Sequence, residues 1–405
     1  MTAFNSTAGR KSPLWRSTTR MAISLAFFVN GFGLGSWTPE VPIIGERLGL
    51  TPATFGFMVL IFGLGAVTAM PVVGALIAKR GSRQVTIATQ ALFALAIACL
   101  IAAPHPLLAG LAVFVFGIGL GGMDVAMNAN AVSVERTMDR AIMSSCHGFW
   151  SLGAFAGAGI GGTLIETFGP LGHTTIVASF TALTLIYIVP NMLEDRRETV
   201  PAADTANRPP MREILAAQRT PLFLAIAIGV IALGGFVQEG VVIDWSAVYL
   251  RDELGVSLAA SGFGFAAFSV TMALFRFFGD GIRERYGAVT TVRVSLLIAL
   301  TGLVVLILAS SLPVSLVGFM ILGIGMSNIV PIAFSAAGNL KGLADGTGIS
   351  IASAIAYSGG LVAPAVVGIV ADAYGFSTIF AALATISVAI ILSAKLLKRA
   401  DRDMA

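Results

Sequence analysis

ERLGLTPATFGF, residues 46–57, returns almost in register as DELGVSLAASGF, residues 252–263. The offset is 206 residues, and it recurs in the glycine pairs 49/255, 81/287, 117/323 and 162/368. A constant offset marks a duplication with no net insertion between the copies. Both copies are too apolar for water. Of 405 residues, 56% are hydrophobic and 11% charged, with a mean hydropathy of +0.89; a soluble domain carries roughly a quarter charged residues. A duplicated membrane unit is the architecture of a two-lobed carrier, with the substrate path between the lobes.

Crossing ~30 Å of hydrocarbon takes about 20 apolar residues in a helix. Twelve runs meet that length, near 20–44, 54–78, 86–104, 108–132, 142–168, 173–190, 221–250, 258–280, 291–310, 313–337, 346–371 and 376–395. The expected fold is therefore an all-α integral membrane protein, with 12 transmembrane helices in two pseudo-symmetric six-helix bundles. The expected domains are 1–190 (a bundle with a short tail), a polar linker at 191–220, and a second bundle at 221–405. The linker holds EDRRETVPAADTANRPPMREILAAQR, with a short interfacial helix expected at MREILAAQ. The first run is too long for a signal-peptide core and reads as a retained helix.

Lys and Arg set the orientation. Arg10, Lys11, Arg16 and Arg20 precede the first run, and Lys79, Arg80 and Arg83 follow the second. Arg136, Arg140, the five arginines between 196 and 219, Arg283, Arg285, Arg293 and the tail from Lys395 to Arg402 fall on the same side. Only Arg47 and Arg251 lie opposite. The positive-inside rule puts both termini of this multi-pass chain in the cytoplasm. The net charge of +4 follows from this bias and gives no support to nucleic-acid binding.

Other classes lack their chemistry. Cys99 and Cys146 sit in different runs and read as small core residues. The three histidines have no ligand-like spacing, so no metal is expected. GIGLGG at Gly117 and GAGIGG at Gly157 lie inside apolar runs, where they serve helix packing instead of nucleotide binding. No HExxH, GxSxG or GxxxxGK[ST] context exists, so neither an enzyme nor ATP coupling nor a cofactor is expected.

The loop GALIAKRGSRQ, 74–84, resembles the signature loop of the major facilitator superfamily through Gly74, Lys79, Gly81 and Arg83. Position 78, usually Asp in that family, is Ala78. The second copy, DGIRERYG, 280–287, supplies Asp280, Glu284 and Gly287, with Glu284 at the acidic position. The resemblance implies that these loops latch one conformation. GMDVAMNANAVSVE (122–135), SSCHGFWSLGAFAG (144–157), EGVVIDWSAVYLRDELG (239–255) and SNIVPIAFSAAGN (327–339) are similar to the MosC-like and YbjJ-like bacterial branch. The resemblance implies a proton-coupled secondary transporter of a small solute in a bacterial inner (plasma) membrane, with runs 1, 4, 7 and 10 lining the cavity. A sugar, inositol or amino-inositol heads the solute classes; efflux of drugs or metabolites is the alternative.

An ionised side chain at mid-bilayer costs on the order of 3 kcal/mol, so intramembrane polar groups mark function. Asp124 and Glu239 are the candidates for proton coupling, because burial disfavours a carboxylate's charged form, and His147 is a candidate relay. Asn30, Asn128, Gln238, Trp245, Asn328 and Tyr357 form the expected substrate-binding set, pairing ring faces with hydrogen-bonding groups. Arg276 reads as a local partner of Asp280 or a snorkelling side chain, and Asp244 as an outer gate with Arg47 or Arg251. The expected partners are a small-molecule substrate, protons and the bilayer; one chain holds both halves, so a monomer suffices.

Overall fold

The computed structural model describes residues 13–49, 52–195, 211–256, 260 and 262–401. The first half holds α1 (Pro13–Arg47), α2 (Pro52–Arg80), α3 (Ser82–Ala102), α4 (Pro106–Met138) and α5 (Met143–Asn191). The second holds α6 (Met211–Asp252), α7 (Phe263–Tyr286), α8 (Ala288–Leu308), α9 (Leu312–Met326), α10 (Ile329–Gly338), α11 (Thr347–Tyr374) and α12 (Phe376–Ser393), closing on a 3-10 turn, Ala394–Ala400. Ten helical stretches among the described residues are long and apolar enough to cross a membrane. One is α5, whose 49 residues reverse at Gly169 (φ +71°) before Pro170, so it carries the fifth and sixth runs. The tenth run is interrupted between α9 and α10. Of the expected linker, 196–210 lie outside the described residues, and the expected interfacial helix continues into α6.

The duplication is written into backbone geometry. Positive φ occurs at Gly49 and Gly255, at Gly81 and Gly287, and at Gly169 and Gly375, each pair 206 apart. A Cβ at such angles is strained, so these turns keep glycine in both copies. Helix contacts repeat at the same offset. A Cβ on Gly117 would run into the Phe62 carbonyl, and one on Gly323 into the Phe268 carbonyl. Glycine here permits backbone-to-backbone approach, the packing that lipid-facing helices rely on.

Each half is closed on itself by a carboxylate just beyond its last helix. Asp195 accepts the Ser82 N–H at 2.8 Å and the Ser82 and Ser133 hydroxyls. Asp401, 206 residues on, accepts the Ala288 N–H at 2.7 Å. Both cap the start of a half's third helix, where unpaired N–H groups need an acceptor. Arg83 reinforces the first clasp through the Val189 carbonyl and Glu194 at 3.0 Å. Between the halves, α5 packs on α7 and α2 on α11. The polar contacts joining them gather at the end carrying the basic loops.

A valine at Gly117 or at Gly323 is expected to lower the detergent melting temperature by similar amounts, an overpacking cost of about 1–3 kcal/mol. Valine at Gly159, where a Cβ meets open space, should leave it unchanged. Unequal behaviour of the first two in differential scanning fluorimetry would contradict the repeat-symmetric packing.

Candidate functional site

α4 places Asp124 and Asn128 one turn apart, on one face. The Asn128 amide donates to the Asp124 carbonyl at 2.9 Å and the Asp124 carboxylate at 3.3 Å. Its own oxygen faces His147 Nε2 at 3.2 Å. Tyr357, from α11, lies within electrostatic reach of both the Asp124 carboxylate and Glu239. Phe236 stacks near Tyr357 and Phe334, with ring centres 5.1 and 6.3 Å apart, and Phe27 and Phe334 flank His147. Asp124, Asn128, His147, Tyr357 and Glu239 therefore form one cluster drawn from α4, α5, α6 and α11.

Arg276 completes it, in a role that corrects the expected local pairing with Asp280. Its guanidinium reaches Glu239 at 3.3 Å, the Ser327 carbonyl at 3.4 Å and the Ser151 hydroxyl. The Ser327 carbonyl is free for a stated reason. Its normal donor, the N–H four residues on, is missing because residue 331 is proline. A proline in α10 thus frees a carbonyl, and an arginine from α7 occupies it while bridging to α5 in the other half.

Four expected binding residues lie elsewhere. Gln238 is fully buried and accepts the Ser387 hydroxyl of α12 at 2.8 Å, so it faces away from the cluster. Trp245 packs against Phe376 and Gly368, two turns from Glu239 along α6. Asn30 is used up within the first half, donating to the Leu120 carbonyl at 3.0 Å and accepting the Trp150 indole at 3.0 Å. Asn328 donates to the Ser327 hydroxyl and presses on Gly279 of α7. Asp244 has no ion pair with Arg47, which instead caps the Ile101 carbonyl.

A second polar centre lies at the basic end, at the start of α5. Five successive N–H groups, 141 to 145, each meet a carboxylate. Ala141 donates to Glu284 at 2.7 Å, Ile142 and Met143 to Glu135 at 2.8 and 3.0 Å, and Ser144 and Ser145 to Asp280 at 2.8 and 2.9 Å. Asp280 and Glu284 come from the opposite half. Glu135 also binds Arg283 at 3.1 Å and the Ser335 hydroxyl at 2.7 Å, both across the interface. Arg20 and Asp280 share the Ser145 hydroxyl, and Arg136 reaches the end of α10.

The first copy of the loop behaves differently. Lys79 is exposed without a partner among the described residues, Gly81 supplies the turn, and Arg83 serves its own half. Gly74, at Asp280's repeat position, lets α11 approach so closely that a Cβ there would collide with Ser350. Gly287 supplies the matching turn in the second copy. Glu135 and Arg276 were the residues that sequence reasoning undervalued. The signal for Glu135 was a carboxylate in the last turn of a long apolar helix, eight residues before the next begins.

Two helical halves, a polar cluster between them and a charged closure at one end define a membrane carrier. The comparisons name its family. The Major Facilitator Superfamily model matches residues 23–340 and 236–404, and the chain belongs to that superfamily of transporters. It is 33% identical over 386 residues to an uncharacterized transporter of this type from Yersinia pestis, covering 94% of this chain and 96% of that one. It is 30% identical over 384 residues to the membrane protein MosC of Rhizobium meliloti, covering 93% and 89%. FucP in its outward conformation superposes with a TM-score of 0.71 at 18% identity, covering 93% of this chain and 98% of that one. The human organic anion transporter MFSD10 gives 0.69 at 18%, covering 96% and 100%.

Arg283→Leu strands the buried Glu135 without its cation and is expected to cost about 3–5 kcal/mol, read as a lower unfolding midpoint in detergent. Adding Glu135→Gln should recover most of the loss. A single variant as stable as wild type would remove the ion pair from this description.

Proposed function

We propose that this chain is a proton-coupled secondary transporter, moving a small polar organic solute of the sugar, inositol or amino-inositol kind across the inner membrane by alternating access. The basic end faces the cytoplasm, as the distribution of Lys and Arg argues. One observation carries the reading: Tyr357 lies within electrostatic reach of Asp124 of one half and Glu239 of the other. A proton or solute arriving there changes the interaction between the halves.

The two carboxylates differ in chemistry. Glu239 has a guanidinium beside it in Arg276. Among the described residues, the neighbours of Asp124 are the neutral Asn128 and Tyr357. Proton binding at Asp124 removes a charge that no cation offsets, a large change in a low-dielectric site. Asp124 is therefore the principal proton carrier, Glu239 the group that Arg276 holds or releases, and His147 a relay through Asn128. Asn128 and Tyr357 present hydrogen-bonding groups and a ring face suited to a polyhydroxylated solute. A fucose:proton symporter shares the fold, consistent with this chemistry.

Purified protein in liposomes with an internal pH dye tests the reading, using a panel of sugars, inositols and amino-inositols. A solute-dependent pH change is expected in wild type. Asp124→Asn should lose it, by tenfold or more in rate, while still exchanging labelled solute. Solute exchange in wild type without any pH change would contradict proton coupling.

A further inference from the structure

The cluster does not end at Tyr357. An open groove runs from it toward the end opposite the basic loops, between α6 and α11. Phe236 belongs to both, touching Tyr357 below and lining the groove above. Continuing up α6 at helical spacing come Gly240 and Asp244, and up α11 from Tyr357 come Gly360 and Pro364. A Cβ at Gly240 or at Gly360 would meet nothing within 4 Å, so these two glycines leave the groove open. Val237, Val241 and Val367 make its walls apolar.

Two polar groups stand at its far end. Asp244 is exposed to the groove and makes no hydrogen bond or ion pair with any described residue. Trp245, beside it, has a buried indole N–H without an acceptor. A carboxylate inside an apolar helix face needs a cation or water, and an aromatic ring next to it favours a cation that is weakly hydrated.

We propose that this groove is a binding site for a small organic ammonium compound, its cationic head at Asp244 and Trp245 and its apolar body along α6 and α11. Resting on the transport reading above, the site gives an amine-bearing solute a first station on the path to the Asp124 cluster. It narrows the solute class to amines with an apolar face.

Equilibrium binding of labelled phenethylammonium to the purified full-length protein tests this, with phenethyl alcohol as the neutral counterpart. Saturable binding of the ammonium is expected in wild type, weakened at least tenfold by Asp244→Asn and by Gly360→Val. The valine fills the groove without touching the cluster. Asp124→Asn should retain the binding, which separates failure of this site from failure of the proton-coupling reading. Unaltered binding in Asp244→Asn and Gly360→Val, or no saturable binding in wild type, would overturn the proposal. Equal affinity for the alcohol would overturn the cationic specificity.

Discussion

The start of α5 is the constraint on which the rest depends. A helix begins with N–H groups that have no partner within the helix, and its dipole adds positive potential there. In a bilayer protein such donors must be satisfied by the protein itself wherever water is excluded. Here five of them, from Ala141 to Ser145, are met by Glu135, Asp280 and Glu284. Two of those three carboxylates belong to the other half, so satisfying one helix end holds the two halves together at the basic end. Separation there exposes α5's donors and strips Arg283 from Glu135 in one step.

Closure of this kind is one-sided although the chain is duplicated. The repeat positions of Asp280 and Glu284 are Gly74 and Ala78, neither of which can accept a hydrogen bond from its side chain. At α11 the second seam is instead made by close packing at Gly74 and by the Ser350 hydroxyl donating to the Met70 carbonyl at 2.6 Å. Charge therefore binds α7 to α5, while shape binds α2 to α11. The α5–α7 seam also carries the central cluster. Asp280 and Arg276 lie one turn apart on α7, meeting Ser144/Ser145 and Ser151 on α5. Whatever alters the hold of Arg276 on Glu239 acts on the same two helices that the carboxylates clamp. That is the physical route by which a change at the central cluster would reach the basic end.

Much of this was legible in the sequence. The offset of 206 foretold the paired positive-φ turns and the paired glycine contacts at 117 and 323, because backbone demands of that kind leave only glycine. Asp124, Asn128, His147 and Tyr357, singled out as polar groups in apolar helices, come together in one cluster. Gln238, Trp245 and Asn30 lie outside the Asp124 cluster for a simple reason. Periodicity assigns residues to a face, but which face meets the cavity depends on packing against α12, α11 or α5. Arg276 was obscured by Asp280 four residues away, a spacing that suggests a local pair. Its real partners come from three other helices, one of them exposed by a proline.

Distance measurement across the basic end tests the central claim most directly. Spin labels at Thr137 and Arg285, both exposed, would report separation of the halves on a background lacking native cysteines. The account predicts one short-distance population in the wild-type background, and a second, longer one when Asp280→Asn and Glu284→Gln are combined. An unchanged distribution in that double variant would contradict the claim that carboxylates capping α5 hold the halves together.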